Sequence, residues 1–230
     1  MIPIRDSIKS TTVPKVNYAL IAINSLVFFY ELSLGEHLNE FFFTFGLIPN
    51  QFIESLHEFD LISTTTPVFT SMFMHGGWMH FLGNMWFLYI FGDNVEDSMG
   101  HARYIVFYLI TGIGAALAQV FLNTESLTPM IGASGAIAGV MGAYMIQYPK
   151  GKILTILPIF FFFQFIKVPA VVFLLIWIGL QTFQGIAAVG ADVSGGVAWW
   201  AHIGGFAAGA VLIFLFRKPR IANFYDDDYI

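Results

Sequence analysis

The chain has 230 residues, of which 57% are hydrophobic and only 11% charged; its formal net charge is −5 and its mean hydropathy +0.73. Ordinary globular chains carry about 25% charged residues, so this composition excludes a water-soluble protein built on one core and reads as an all-α, polytopic membrane protein forming a single domain over 1–230. With no cysteine, disulfides, thiolate metal sites and cysteine nucleophiles are excluded, and no basic cluster is large enough to suggest nucleic acid.

Residues 1–15 form a polar segment with Arg5, Lys9 and Lys15, followed by an apolar run from Val16 to about Leu34. About 20 residues at 1.5 Å each cross a 30 Å hydrocarbon core, and no small-residue cleavage site follows, so the run is predicted as the first transmembrane helix. From Gly35 to Pro67 comes a connection without Lys or Arg. There Phe41, Phe42, Phe43, Phe45, Phe52 and Phe59 alternate with Glu36, Glu40, Glu54, Glu58 and Asp60. That mixture suits short amphipathic helices lying in the interface, as a gate, a substrate shelf or a passive anchor.

Further spans are predicted at about Gly77–Asp97, Arg103–Leu122, Gly132–Tyr148, Val168–Val189 and Trp199–Phe216. The fourth is short for a full crossing. The stretch Ile153–Ile166 is apolar, contains Pro158 and is flanked by Lys150, Lys152 and Lys167; it is too short to span and is predicted as an interfacial or re-entrant loop. Residues 218–230 form an acidic tail ending in Asp226, Asp227 and Asp228. With six spans and a cytoplasmic N-terminus, all ten Lys and Arg fall on the cytoplasmic side, a one-sided result under the positive-inside rule.

Under that topology the first turns of spans two, four and six lie at one depth near the outer face. His80 and Asn84 belong to span two, Ser134 opens span four and His202 opens span six. Polar groups are costly inside a membrane, and each is a functional candidate. The fourth span begins Gly132-Ala133-Ser134-Gly135 and places Ser134, Gly135, Ala138, Gly139 and Gly142 on one face of small residues. Such a face serves close helix packing, and on this stretch alone the serine is either incidental to packing or a hydroxyl left uncovered by Gly132 and Gly135. His202, Gly205 and Gly209 form a matching stripe that would bring the imidazole to Ser134. A hydrogen-bonded imidazole activates a serine that is otherwise a poor nucleophile. No acid lies near His202 in its own helix, and Asp192 sits in the preceding loop, so the expected unit is a Ser–His dyad. The Ser134 amide, His80 and Asn84 could donate to an oxyanion; for His80 and Asn84 the competing reading is interhelical hydrogen bonding. A His75/His80 metal pair is disfavoured because i, i+5 spacing on a helix points the rings apart.

His37 and His57 are read as loop residues and His101 as a helix-end residue. Trp78, Trp199 and Trp200 are placed in the aromatic belt, Trp86 and Trp177 in packing. Gln119, Gln147, Gln164, Gln181 and Gln184 are assigned at most to bridging helices.

These motifs, in this order, resemble the rhomboid intramembrane serine proteases of the compact six-helix bacterial type. The similar pieces are Phe45-Gly46-Leu47-Ile48-Pro49, Thr70 to Asn84, Phe91 to Glu96 with Gly100, Gly132-Ala133-Ser134-Gly135, and Ala201-His202 with Gly205 and Gly209. The resemblance implies a six-transmembrane-helix bundle whose short central helix carries the nucleophile, Ser134. It implies His202 as general base, His80 and Asn84 as oxyanion donors, and His75 as a supporting residue, with Glu96 and Gly100 in a structural element. It further implies cleavage of transmembrane segments of other membrane proteins near the outer face, and no metal or nucleotide cofactor. Many members carry an aromatic residue one turn after the serine that stacks on the histidine. Here that position is Ala138, which leaves open what orients His202. Some members also carry a Trp-Arg pair in the first loop, which this chain lacks. Span five, with Phe173, Trp177 and Phe183 and few small residues, is read as the lateral gate. The alternative reading is a catalytically inactive relative that binds transmembrane helices; a transporter would want acids or broken paired helices at the midplane, and none is evident.

Overall fold

The computed structural model describes residues 1–159, 162–188 and 198–218; Asp192 and the Asp226–Asp228 tail lie outside the described residues. In chain order the elements are β1 (Ile2–Asp6), α1 (Lys15–Ser33), α2 (Leu38–Phe45), α3 (Pro49–His57), α4 (Leu61–Thr70), α5 (Trp78–Met99) and α6 (His101–Leu122). Then follow α7 (Ser134–Gln147), β2 (Lys152–Ile159), β3 (Phe162–Pro169), α8 (Ala170–Ala188) and α9 (Trp199–Phe216). Helices α1, α6, α8 and α9 are each long and apolar enough to cross a membrane. The 22 residues of α5 have the length, but Asp93, Glu96 and Asp97 crowd its last turns, and α7 has only 14 residues. The whole is a polytopic helical membrane bundle.

Helix α7 is the core of that bundle. From Gly135 to Tyr144 every residue is buried, which small side chains allow because neighbouring backbones can close in. The tightest approach is to α9: a Cβ on Gly209 would collide with the Gly139 carbonyl, and one on Gly205 with the Gly135 carbonyl. Helix α6 covers another side of α7, where a Cβ on Gly135 would stand 2.6 Å from the Ala115 methyl. At the other end of α7, the buried rings of Phe91, Tyr104, Phe107, Tyr108 and Tyr144 fill the space that small residues leave.

Glu96 explains how α1, α5 and α6 meet. Its buried carboxylate accepts the first backbone N–H groups of α1, from Val16 at 3.0 Å and Asn17 at 2.7 Å, and it also pairs with His101 Nδ1 at the start of α6. A carboxylate at a helix N-terminus satisfies donors that have no intrahelical partner and suits the helix dipole. Gly100 alone separates α5 from α6.

The connection after α1 is a run of short helices, as its composition predicts. Pro49 starts α3, where its missing N–H costs nothing, and the Asp60 side chain caps α4 by accepting from Ile62 N and Ser63 N at 3.1 and 3.2 Å. His57 is the last residue of α3 and His37 closes a 3₁₀ turn, so His57 is helical where the sequence reading made it a loop residue. Leu47 and Met130 exchange backbone hydrogen bonds of 3.0 and 2.8 Å, which fastens this layer to the α6–α7 loop.

The stretch predicted as an interfacial or re-entrant loop is instead a β-hairpin. β2 and β3 pair antiparallel from Lys152↔Pro169 to Ile159↔Phe162, and β1 joins β2 from Ile2↔Ile156 to Asp6↔Ile153. Dense Ile, Leu and Phe favour a strand as readily as an interfacial segment, and Pro158 lies beyond the last residue that β1 pairs, so its missing donor breaks nothing on that side. The polar N-terminal segment thereby becomes an edge strand laid along α5. Pro3 O accepts from Trp86 Nε1 at 2.6 Å; Asp6 Oδ2 accepts from Asn94 Nδ2 at 2.8 Å and from Tyr144 OH at 2.6 Å. Burial, with the Asp93 carboxyl nearby, pushes the Asp6 carboxyl up to about 6.

Candidate active site

Ser134 is the first residue of α7, and His202 lies in the first turn of α9. The Gly139–Gly209 approach fixes the two helices so closely that their first turns are adjacent. Ser134 Oγ lies 2.8 Å from His202 Nε2. His202 Nδ1 is 2.6 Å from Gln181 Oε1 on α8. An amide oxygen only accepts, so the Gln181 Oε1 beside Nδ1 puts the ring proton there, and in the neutral ring Nε2 accepts from the hydroxyl. Trp177, one turn earlier on α8, lies tilted 41° against the same ring with centroids 5.8 Å apart, and Trp199 meets it edge-on at 6.2 Å.

These groups open onto a cavity of about 630 Å³ that also receives His80, Asn84, Met79 and Phe87 from α5 and Ile137 and Met141 from α7. Residues carrying three kinds of donor line or border it. The first N–H groups of α7 have no intrahelical acceptor. Asn84 Nδ2 is buried and has no acceptor among the described residues. His80 Nδ1 accepts from Gly76 N at 3.4 Å, a weak bond that nevertheless places the ring proton on Nε2. Gly132 decides what lies beyond that proton. Its φ is +134°, and a Cβ there would stand 2.7 Å from His80 Nε2 and 3.4 Å from Ser134 Oγ. Glycine therefore keeps open the space between the hydroxyl and the imidazole, which is where a developing oxyanion would form. Gly132 N, by donating to Ser71 O at 2.8 Å, holds this strained turn in place.

His75 does not reach the cavity. It is 1% exposed, wedged edge-on between Phe28 and Phe81, and burial followed by the neighbouring His80 pushes it down to about 3. The His75 and His80 rings nonetheless lie 5.3 Å apart. The spacing argument that pointed them away from each other fails because α5 begins only at Trp78, so His75 lies outside the helix.

Three contributors escaped the sequence reading. Trp177 and Gln181 are read from the sequence as packing and bridging, yet both sit on His202; the available signal is an amide four residues after a tryptophan in a span whose one other amide is Gln184. Glu31 is a carboxylate 1% exposed in α1, and it accepts the His75 backbone N–H at 3.1 and 3.2 Å. An acid within the last turn of a predicted span is the signal there.

A family model of the Rhomboid domain matches residues 63–219. Among curated proteins, the chain is similar to the Rhomboid-like protein 11, chloroplastic, of Arabidopsis thaliana, 28% identical over 209 residues that cover 89% of this chain and 69% of that protein. It is similar to RHOMBOID-like protein 1 of the same plant, 31% identical over 158 residues, covering 68% of this chain and 36% of that protein. It is also similar to the Rhomboid protease GluP of Bacillus subtilis, 30% identical over 200 residues, covering 86% of this chain. The matched part is about a third of the length of these last two relatives, at 36% and 35%.

Proposed function

Since the chain belongs to the rhomboid family, we propose that it is an intramembrane serine endopeptidase that cleaves transmembrane segments of other membrane proteins near the outer face. The observation that carries this reading is the 2.8 Å contact of Ser134 Oγ with His202 Nε2, on a cavity that His80 and Asn84 also line. In the proposed reaction His202 Nε2 takes the Ser134 proton as Oγ attacks the scissile carbonyl. The carbonyl oxygen, now negative, receives hydrogen bonds from the Ser134 N–H, His80 Nε2 and Asn84 Nδ2. His202 then gives its proton to the leaving amine, and water deacylates the serine ester with the same base. Preorganised donors of this kind contribute about 2.7–4 kcal/mol each to the transition state. Water reaches the hydroxyl because Ser134 sits at the mouth of a short helix on a cavity that His80, Asn84, Gln181 and His202 also line, and irregular backbone is tolerated inside a membrane where it lines such a cavity.

On this reading the substrates are membrane proteins, the site lies on the outer side of a cell membrane, and both termini face the cytoplasm. The residues 1–230 act as one unit with no cofactor. The test is reconstitution with a model transmembrane substrate beside Ser134→Ala and His202→Ala. Cleavage by the wild type alone, with fluorophosphonate labelling of Ser134, is the expected result. Unchanged cleavage by both variants would assign the activity to a contaminant or another nucleophile. No cleavage and no labelling by any form would overturn the reading in favour of an inactive helix-binding relative.

A further inference from the structure

Resting on the protease reading, we infer that Gln181 is the positioning residue of the dyad, and that α8 confers base competence on His202. A neutral imidazole serves as base at Nε2 only while its proton is held on Nδ1. In serine and cysteine hydrolases a third group with an acceptor oxygen fixes that tautomer. Here the acceptor on Nδ1 is the Gln181 amide oxygen at 2.6 Å, and among the described residues no carboxylate is hydrogen-bonded to His202. Trp177 limits the ring from one face. The residues at i and i+4 of a single helix thus set both the tautomer and the tilt of the base.

Of the four helices long and apolar enough to cross a membrane, α8 is the least buried among the described residues. Leu175, Leu180 and Phe183 are more than half exposed, and an added Cβ on Gly179 would meet nothing within 4 Å. In contrast, the α7–α9 contact that brings Ser134 to His202 is closed to any side chain. Displacing α8 would leave the 2.8 Å Ser134–His202 contact sterically possible but remove the Nδ1 acceptor and the Trp177 face together. The dyad is therefore complete only with α8 seated. A substrate helix entering past α8 would meet an unassembled base, which re-forms when α8 returns.

The test uses the full chain in detergent, as wild type, Ser134→Ala, Gln181→Met and Gln181→Glu, with a fluorogenic transmembrane substrate and a fluorophosphonate that labels Ser134. Gln181→Met removes the acceptor at similar volume. Its kcat is expected to fall about 10²-fold, the lower end of what a positioned base contributes, with KM little changed. Gln181→Glu restores an acceptor and adds charge. It is expected to recover kcat relative to Gln181→Met and to move the acidic limb of the pH profile to higher pH, since a carboxylate opposite Nδ1 favours the imidazolium. His80 is the titratable group that faces His202 from α5; α7 offers Ser134, and α8 offers only Gln181 and Trp177. That limb reports whether this side chain faces Nδ1, and the kcat of Gln181→Met, with its recovery in Gln181→Glu, is the readout that a merely structural glutamine would not move. Wild-type kcat in Gln181→Met, or an unmoved limb in Gln181→Glu, with Ser134→Ala dead, would overturn this inference and leave the dyad standing. Wild type indistinguishable from Ser134→Ala would overturn the protease reading and this inference with it. Should Gln181→Met fail to fold, the limb of Gln181→Glu decides.

Discussion

Truncating Asn84 to alanine separates charge stabilisation from packing, because the two roles give effects of opposite sign. Asn84 is 8% exposed, and its Nδ2 has no acceptor among the described residues. A buried donor left unpaired costs about 1–3 kcal/mol in the resting protein, and Asn84→Ala removes that cost. The space it vacates merges with a cavity already about 630 Å³ in volume, so no isolated void is created. In the proposed acylation the Asn84 amide donates to the oxyanion, and losing one such donor would lower kcat about 10²–10³-fold, or about 2.7–4 kcal/mol. The assay is steady-state cleavage of a reconstituted transmembrane substrate, run beside thermal unfolding in detergent followed by tryptophan fluorescence. The expected variant is slower by that factor at nearly unchanged KM and unfolds no earlier than wild type. A kcat loss matched by a drop in unfolding temperature would refute the reasoning and return Asn84 to interhelical hydrogen bonding; so would an unchanged kcat.

Gly132→Ala puts a methyl 2.7 Å from His80 Nε2 at a φ of +134°; backbone strain there costs about 1–3 kcal/mol, and labelling of Ser134 should slow at least ~10-fold while the protein still folds. Glu31→Leu strips the acceptor from the buried His75 N–H and should destabilise by about 1–3 kcal/mol, whereas Glu31→Gln keeps an oxygen there and should unfold near wild type; equal unfolding temperatures for the two would show that the bond is unimportant. Burial raises the Asp6 carboxyl to about 6, so docking of β1 favours the protonated acid: that stability is full below about pH 4 and is lost as pH rises through 6. Discounted for solvent screening, the effect is about 1 kcal/mol, and Asp6→Asn should abolish the difference between pH 5 and pH 8 in the amide protection factors of β1, taken relative to the intrinsic exchange rate at each pH.

What could be read from the chain followed from constraints that leave few solutions. Ser134 between Gly132 and Gly135, and His202 on a stripe with Gly205 and Gly209, suggest a helix pair closed by glycine, and the two polar groups then share one level. The hairpin was opaque for the opposite reason. Ile153–Ile166 is apolar but for Thr155 and Gln164, so neither period two nor period 3.6 stands out, and its partner β1 is an N-terminal segment far away in sequence, Ile2 pairing with Ile156. The register of such a pair is set by Asp6 on Asn94 and Tyr144, contacts that no local pattern announces. Gln181 was ambiguous because an amide in a span bridges helices more often than it orients a base. Only the position of His202 Nδ1 tells the two apart.

The packing of the bundle assigns different mechanical duties to its helices. Hydrolysis requires Ser134 and His202 to keep their separation through acylation and deacylation, and a misplacement of 1 Å can cost about 10² in rate. Helices α7 and α9 meet that demand with backbone against backbone, where no rotamer can relax and any added carbon collides. Substrate entry requires the reverse, an element that leaves and returns without disturbing the pair. Helix α8 has the composition for it: large apolar side chains face outward, and its hold on the site is one amide and one indole. Such contacts re-form on return without repacking a core. A cross-link made with a short bifunctional thiol reagent between Phe91→Cys on α5 and Phe173→Cys on α8, whose rings lie 6.4 Å apart, should therefore block cleavage of a membrane-embedded substrate while sparing fluorophosphonate labelling of Ser134. Cleavage that survives the cross-link would mean that α8 is not the route of entry.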